Sequence, residues 1–462
     1  MSNFASRITH RIDDKFPSTR PYNVLVWSVL ALALPAVGEQ VVNLTVNLVD
    51  VYLAGHLDAA SVTAMGISQQ WTQLVMVLFV ILNAGSVALV ARSVGAGDLE
   101  FSNHILSQAL LYGFIIGAIS AILVWDLDFL LVKLLQTPKE SVMASRKYLR
   151  VISIGFPLWG AMLVGNSVMR GAGDTKTPFV IMTILNVVTI VAEVLFVFGF
   201  GIVPKTGVVG IAIGSVIGLL VGFVITIGIL ISGKAKLRLR RIELLPDLSL
   251  LSRVLKVGWP AGIETGLMIG AFLVLTGVIA SLGSKAYAAY KIVSVTGSIT
   301  GLIGTGFGIG AASLVGQALG ARKPKRARRS AYLSAVLATI VMSLVGLLFI
   351  LFPSYIIGIF THDATVIRLG RLPLQLLGII QPLYASQIVF SRSLRGAGDT
   401  SSPMVITSTS IWVIRLGGAY LLGHILGLGL LGVWIAIVSD FGVRGIAYLF
   451  WFRVGKWVSI RV

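Results

Sequence analysis

Long apolar runs dominate the 462-residue chain. A run of about 20 apolar residues has the length of a membrane-spanning helix, whereas a membrane β-barrel would show short segments of alternating polarity. The pattern therefore predicts an all-α integral membrane protein with twelve transmembrane helices. The predicted spans are residues 28–53, 62–91, 105–125, 148–168, 177–200, 208–232, 257–281, 287–316, 331–352, 373–394, 403–423 and 430–452.

The pattern occurs twice, at an offset of 225 residues. The hexamer RGAGDT begins at Arg170 and returns at Arg395, and Glu39 corresponds to Glu264 at the same offset. Each half contains six predicted spans, so both halves start and end on the same side of the membrane and insert in the same orientation. We expect two six-helix bundles related by this internal repeat. The predicted domains are an N-terminal lobe (1–232), a basic cytoplasmic linker (233–252) and a C-terminal lobe (253–462).

Composition and charge support a membrane protein. The chain is 56% hydrophobic and only 12% charged, with a mean hydropathy of +0.93 and a formal charge of +19. With a cytoplasmic N-terminus, 25 of the Lys and Arg residues fall in cytoplasmic segments and 9 in external ones. This asymmetry follows the positive-inside rule, so we expect a multi-pass protein of the plasma (inner) membrane with both termini in the cytoplasm. The basic charge then contacts the lipid bilayer, and no nucleic-acid partner is expected.

Several reaction classes have no support in the sequence. The chain contains no cysteine, which excludes disulfides and thiol chemistry, and its five histidines form no metal-ligand motif. The N-terminal residues lack the short apolar core of a removable signal peptide, so the first span is expected to act as the insertion signal.

Polar residues follow one face of the first predicted span. Glu39, Asn43, Asn47 and Asp50 are spaced 4, 4 and 3 residues apart. They either line a water-filled cavity that exchanges a cation, or only form hydrogen bonds between helices. Asp50 favours the first interpretation, because its counterpart in the repeat is Leu275. Glu39 and its counterpart Glu264 fit a functional or a structural role equally well.

The fifth predicted span contains a second polar face, formed by Asn186, Thr189 and Glu193. Apolar neighbours surround Glu193, so its side chain is expected to be protonated or close to a cation. Arg415 and Arg444 also lie within predicted spans. Arg444 is expected to extend toward the cytoplasmic surface, while Arg415 either pairs with a carboxylate or binds an anionic substrate.

The hexamer fits a helix junction better than a phosphate loop, because it lacks the phosphate-loop pattern and its acid would repel phosphate. Gly171 and Gly173 are expected to end the fourth span in a left-handed conformation. Arg170 complements the end of that helix, and Asp174 or Thr175 caps the next one. The second copy repeats these turn residues as Arg395, Gly396 and Asp399.

These segments together resemble the multidrug and toxic compound extrusion (MATE) family of secondary transporters. The similar segments are LPAVGEQVVNLTVNLVDVYLAGHL, RGAGDTKTP, RGAGDTSSP and LGSKAYAAYKI. Asp50 and Glu193 fall on positions that resemble the coupling acids of the DinF-like branch, with Thr189 and Ser215 nearby. Glu264 lies about one turn from the position that resembles the seventh-helix acid of the NorM-like branch, and Tyr384 occupies the position that resembles the tenth-helix aspartate of that branch. The resemblance therefore implies the DinF-like branch.

The expected function is secondary antiport by alternating access, not enzymatic catalysis. Small cationic, amphipathic organic compounds would leave in exchange for Na⁺ or H⁺, with Na⁺ or the proton bound at Asp50 and Glu193 and assisted by Asn186, Thr189 and Ser215. The expected substrate-cleft residues are Asn43, Asn47, Glu39, Glu264 and Tyr384. No cofactor is expected, and the chain is expected to be a monomer.

Three alternatives stay open on the sequence. A lipid-linked saccharide flippase of the same broader superfamily would commonly have additional spans and a more cationic cleft. A major-facilitator transporter would carry a basic loop after the second span, where this chain has RSVGAGDLEF. A membrane scaffold or channel would not need a buried acid in one lobe only.

Overall fold

The computed structural model describes residues 22–134, 139–201, 203–233, 235–239 and 245–460. The basic N-terminal segment and parts of the predicted linker lie outside these residues. The α-helices are α1 Tyr22–Gly55, α2 Ala59–Ala96, α3 Leu99–Leu134, α4 Lys139–Ile154, α5 Phe156–Gly171, α6 Lys176–Phe198, α7 Val208–Ser232, α8 Leu248–Ala280, α9 Ser284–Gly320, α10 Pro324–Leu351, α11 Pro353–Gly358, α12 Ala364–Ile379, α13 Gln381–Gly396, α14 Ser401–Thr409 and α15 Gly429–Val454.

The helix after α14 departs from regular α geometry. Ser410–Gly417 and Leu421–Ile425 are π-helical, with one short α turn between them, and α15 is followed by a 3₁₀ turn at Lys456–Ser459. π-Helical hydrogen bonding is rare and is concentrated at functional sites.

Ten of the described helices are long and apolar enough to cross a membrane, with α14 and its continuation taken as one. Two further spans are bent pairs: α4 with α5 meet at 50°, and α12 with α13 at 57°. Each bend falls just before a proline, Pro157 or Pro382, which occupies the first turn of the second helix where its missing N–H costs little. Counted in this way the described residues contain twelve candidate spans, and the predicted all-α fold is confirmed.

The described structure divides into two compact units. The N-terminal unit consists of Gly38–Trp259. The C-terminal unit consists of Pro260 and the residues after it, together with the described residues up to Val37. α1 and α8 thus each contribute to both units, and both divisions fall near a proline inside the helix, Pro35 or Pro260. The domain boundaries at 232 and 253 stay a prediction from the repeat.

Each unit has its own apolar core. In the N-terminal unit, Phe79 and Phe156 pack with Trp159. In the C-terminal unit, Phe452 packs against Phe390 and stacks on Trp457. Large apolar side chains also cover the outside of the helices, as expected for surfaces that face lipid rather than water.

The RGAGDT hexamers form the same junction twice. The left-handed residue is the second glycine, with φ of 82° at Gly173 and 91° at Gly398. Asp174 caps α6 by accepting hydrogen bonds from the Thr177 N–H at 3.0 Å and hydroxyl at 2.8 Å. Asp399 accepts the same two bonds, at the same distances, from Ser402.

The prediction that Gly171 is left-handed was wrong. Gly171 and Gly396 are the last helical residues of α5 and α13. Their missing side chains allow close packing instead: a Cβ atom on Gly396 would overlap the backbone of Ala312, and one on Gly171 would lie 2.8 Å from Val90 Cγ1. The motif therefore combines a helix-packing glycine with a turn glycine.

Candidate functional site

The N-terminal unit contains a cavity of about 560 Å³. Three of the four polar residues of the α1 face, Glu39, Asn43 and Asn47, line it. Apolar and aromatic walls complete the cavity, with Trp159 and Phe156 from α5 among them. Polar side chains from other helices, among them Asn166 and Arg170 of α5, also line it. A cavity that combines apolar walls with hydrogen-bonding groups is the usual form of a binding site for small organic molecules.

The α1 and α6 polar faces meet inside this cavity. The side-chain nitrogen of Asn186 donates a hydrogen bond to Asn43 Oδ1 at 2.9 Å. Asn47 donates to the backbone oxygen of Asn43, also at 2.9 Å. Thr189 and Ser215 line the same cavity from α6 and α7. The structure thus brings together two faces that are 143 residues apart in the sequence.

Asp50 and Glu193 lie next to each other beyond this polar wall. Their carboxyl groups are within hydrogen-bonding reach of each other. Glu193 is fully buried, and Ser215 Oγ donates to its Oε1 at 3.0 Å. Among the described residues, no donor reaches Asp50 Oδ1 or Glu193 Oε2. Two adjacent carboxyl groups, each with a buried oxygen that no donor reaches, need a proton or a cation between them.

Small residues bring further groups close to this acid pair. On α7, Gly214 packs directly against Glu193 and Gly218 against Thr189. A Cβ atom on either glycine would overlap that neighbour. Thr189 Oγ1 is buried without a hydrogen-bond partner among the described residues. Tyr148 of α4 is buried close enough to interact electrostatically with both acids. Tyr148 could not be identified from the sequence, because it lies at the edge of a predicted span and follows no polar periodicity.

The oxygen atoms available at this site fit a small hard cation or a proton. Asp50 Oδ1, Glu193 Oε2 and Thr189 Oγ1 offer oxygen atoms, which hard cations prefer as ligands. In the described part of the chain, no group of three or more His, Cys, Asp or Glu side chains is arranged to hold a metal ion, so a high-affinity transition-metal site has no support there.

Glu39 and Glu264 are both paired with an arginine of a hexamer. Arg170 Nη1 donates to Glu39 Oε1 at 2.7 Å, and Arg395 Nη2 donates to Glu264 Oε1 at 2.7 Å. The glutamates are buried, so each arginine neutralises a charge inside its unit. Arg170 and Arg395 therefore contact α1 and α8. These long-range contacts were not predicted, because the hexamer was interpreted only as a local helix junction.

Tyr384 and Glu264 do not lie at the N-terminal cavity. Tyr384 lines a separate cavity of about 190 Å³ in the C-terminal unit and stacks on Phe441, with ring centroids 4.4 Å apart. Arg415 lines this second cavity and pairs with Asp440. The expectation that Arg444 extends to the surface was wrong, because it is buried and also pairs with Asp440. The four-residue spacing of Asp440 and Arg444 was the signal that could have revealed this cluster.

The comparisons with known proteins agree with this architecture. The MatE family model matches twice, over residues 35–195 and 260–421. The probable multidrug resistance protein NorM of Thermotoga maritima is 29% identical over 430 residues, which are 93% of this chain and 92% of that protein. The uncharacterized transporter YisQ of Bacillus subtilis is 25% identical over 438 residues, 94% of this chain and 95% of that protein.

The fold also matches solved structures. An outward-facing multidrug resistance MATE family transporter of the MOP superfamily superposes with a TM-score of 0.86 at 22% identity, covering 93% of this chain and 95% of that chain. A MOP superfamily transporter from Pyrococcus furiosus gives the same score, identity and coverage.

The twelve candidate spans, the match to the family model in both halves and the relatives described as transport and multidrug resistance proteins define a multi-pass membrane transporter, not an enzyme. The chain belongs to the MatE family, whose model matches both halves at starting points 225 residues apart. The repeat found in the sequence is thus the repeat of the family.

Proposed function

We propose that this transporter exports cationic, amphipathic organic compounds, including drugs, in exchange for Na⁺ or H⁺. The names of its relatives support drug export, since several are described as multidrug resistance proteins. The cavity supports small organic cargo, because aromatic and apolar side chains line it together with hydrogen-bonding groups. The buried carboxyl groups beside the cavity support a preference for cations.

The proposal rests above all on the pairing of Asp50 with Glu193, which no cationic side chain among the described residues neutralises. Na⁺ or H⁺ binds at this pair, and Asn186, Thr189 and Ser215 assist as oxygen ligands or hydrogen-bond partners. Because Asp50 is on α1, ion binding changes how α1 packs against α6. Ion binding and drug binding then oppose each other through a coupling free energy.

The arrangement in the cell forms part of the same proposal. The protein works as a monomer in the plasma membrane with both termini in the cytoplasm, as the distribution of basic residues supports. The DinF-like branch fits, because the acids of that branch have counterparts here and Tyr384 replaces an acid of the NorM-like branch. No cofactor takes part in the transport cycle.

Ion-driven efflux in proteoliposomes tests the proposal. Wild-type protein is expected to move a fluorescent organic cation against its gradient when a Na⁺ or H⁺ gradient is applied. Imposing each gradient alone, with the other ion equal on both sides, identifies the coupling ion. Asp50→Asn and Glu193→Gln are expected to abolish gradient-driven movement while membrane insertion and monomer size stay unchanged.

Asp98→Asn is the matched control. It makes the same carboxylate-to-amide change at a side chain that caps the start of α3, where asparagine caps equally well. It is expected to transport like wild type. Full coupling in Asp50→Asn, or equal export of organic anions by the wild type, would contradict the proposal.

A further inference from the structure

The C-terminal unit contains a buried group of three charged side chains. Asp440 Oδ2 lies 2.6 Å from Arg415 Nη2 and accepts a hydrogen bond from Arg444 Nη2 at 2.5 Å. Its other oxygen, Oδ1, accepts from the Ser410 hydroxyl at 2.6 Å. Asp440 is fully buried, and both arginines are more than nine-tenths buried. The carboxylate is therefore saturated by donors from three sides.

This group carries a formal charge of +1, because two guanidinium groups share one carboxylate. Among the described residues, no second carboxylate contacts either arginine, and Glu264 is already paired with Arg395. The ring of Phe441 stabilises the excess charge in part, since both guanidinium carbons lie over it, at 4.9 Å for Arg415 and 5.5 Å for Arg444. A buried excess charge is costly unless a counter-charge joins it.

The cavity next to Arg415 has room for that counter-charge. Its volume is about 190 Å³, somewhat more than the roughly 150 Å³ that suffices to hold benzene in an engineered apolar cavity. Its polar groups can all donate hydrogen bonds and none is a carboxylate. Trp434 Nε1 is buried there without an acceptor among the described residues. The polar lining consists of Tyr290, Ser294, Ser298, Tyr384, Arg415 and Trp434.

The walls of the cavity are flat and aromatic. Phe272, Tyr290, Tyr384, Trp434 and Phe441 line it from four different helices. Such walls fit an aromatic ring, whereas a halide ion would leave most of the volume empty. The polarity is opposite to that of the N-terminal unit, where acids lie beside the cavity.

Arg415 reaches this position from the π-helical segment Ser410–Gly417. Each residue in a π-helical turn is rotated relative to an α-helix, so the segment changes the direction of the side chains that follow. Ser410, at the start of the same segment, donates to Asp440. The π-helical segment thus supplies two of the three partners of Asp440, and such irregular helical turns are frequent at functional sites.

We propose that this cavity binds the carboxylate of a small aromatic anion, with Arg415 as the charge partner and the Trp434 N–H as a second donor. The ring lies between the aromatic walls. The site belongs to the C-terminal unit alone and does not depend on ion coupling at Asp50 and Glu193. It would give the transporter a place for an aromatic carboxylate, either as a separate ligand or as one end of a zwitterionic compound.

Titration calorimetry of the detergent-purified full chain tests the proposal with three probes of equal size. Benzoate carries the carboxylate, benzamide is its neutral analogue and benzamidine is its cationic analogue. Benzoate is expected to bind at least about tenfold more tightly than either analogue, because charge-assisted hydrogen bonds are the strong ones. Equal binding of benzamide, or no binding of benzoate to the wild type, would overturn the proposal.

Arg415→Gln is expected to weaken benzoate binding by about tenfold or more. The variant is expected to fold, because Asp440 keeps Arg444 as its partner and the cluster becomes neutral. Trp434→Phe preserves the aromatic wall but removes the N–H, so it is expected to weaken benzoate binding. Arg371→Gln, the same change at an exposed arginine of α12, is the control and should bind as the wild type does. Unchanged benzoate affinity in folded Arg415→Gln would also overturn the proposal.

Discussion

Arg170 and Glu39 form a buried ion pair that joins the end of α5 to α1, with Arg170 Nη1 2.7 Å from Oε1 and 3.0 Å from Oε2. Arg395 and Glu264 form the corresponding pair in the other half at 2.7 Å, and the partners are 131 residues apart in both cases. The repeat therefore preserves a tertiary contact as well as a turn. The pair fixes the polar face of α1, because Asn43 follows Glu39 by one helical turn on the same cavity wall.

Breaking the Arg170–Glu39 pair is expected to destabilise the protein strongly. The side chains are only 12% and 6% exposed, so the remaining partner would be an unpaired buried charge, at a cost of about 3–5 kcal/mol. Glu39→Gln and Arg170→Gln should each lower the midpoint of thermal unfolding in detergent. The double variant should lose clearly less than the sum of the two, because no lone charge is left.

The Arg395–Glu264 pair shows how exposure to water changes the loss of stability. Arg395 is 30% exposed, so water reaches it and the loss from Arg395→Gln should be smaller than that from Arg170→Gln. Strictly additive losses in the Arg170–Glu39 cycle would show that the two side chains do not stabilise each other.

The two helix-packing glycines of the hexamers are expected to differ in their tolerance of alanine. A Cβ atom at Gly396 would overlap the backbone of Ala312, which cannot move without shifting α9. At Gly171 the nearest atom is a methyl group of Val90 at 2.8 Å, which can rotate away. Gly396→Ala should therefore cost about 1–3 kcal/mol in unfolding free energy, and Gly171→Ala less. Thermal unfolding of the two variants side by side checks the order, and a larger loss at Gly171 would contradict this difference in packing.

Most of the fold could be predicted from the sequence, because lipid imposes strong rules on length and polarity. The apolar runs located all twelve spans, and the two RGAGDT hexamers gave the offset of the repeat. The bends before Pro157 and Pro382 were not predicted, since a proline in a span is compatible with a straight, kinked or broken helix. The π-helical turns near Arg415 have no sequence signature at all.

The site was predictable only where it follows a single helix. The face of Asn43 and Asn47 has helical periodicity and could be identified, but the contact of Asp50 with Glu193 spans 143 residues and depends on how α1 packs against α6. Asp440 was missed for a different reason. Its partner Arg444 lies near the end of a predicted span and was therefore expected to extend toward the surface. Asp440, four residues earlier on the same helix, was a nearer partner.

Docking of the linker onto α3 is expected to depend on pH. The pKa of Asp247 is held below its usual range by hydrogen bonds from His104, at 3.0 Å, and from the Leu250 N–H, also at 3.0 Å. A lowered carboxyl pKa means that the stabilisation is complete above the ordinary value of about 3.9 and is lost as the pH falls through the lower folded value. Hydrogen exchange of the Leu250 amide, corrected for the intrinsic rate, should therefore accelerate only below pH of about 4.

His104→Ala should move that acceleration to higher pH, since it removes the largest cause of the lowered pKa. Asp363 serves as an internal control in the same sample. Its pKa is also lowered, chiefly by Lys285, and it caps α12 through the Thr365 N–H at 2.8 Å. The Thr365 amide should behave identically in both proteins. An unchanged Leu250 profile in His104→Ala would show that His104 does not hold the linker.

The hydroxyl of Ser215 is expected to set the affinity of the coupling ion. It donates to Glu193 Oε1 at 3.0 Å, inside a site where Glu193 is fully buried. Ser215→Ala removes one hydrogen bond to a charged group, worth about 1.5–3 kcal/mol, so the half-saturating ion concentration for efflux should change by about tenfold to a hundredfold. Ser215→Thr keeps the hydroxyl and should stay close to wild type.

Ser232→Ala, at the end of the same helix, is the control. It removes a hydroxyl that donates a hydrogen bond to the backbone oxygen of Ile229 and should leave the ion dependence unchanged. If Ser215→Ala and Ser232→Ala gave the same ion dependence, Ser215 would have no part in ion binding, and the assignment would reduce to the two acids with Asn186 and Thr189.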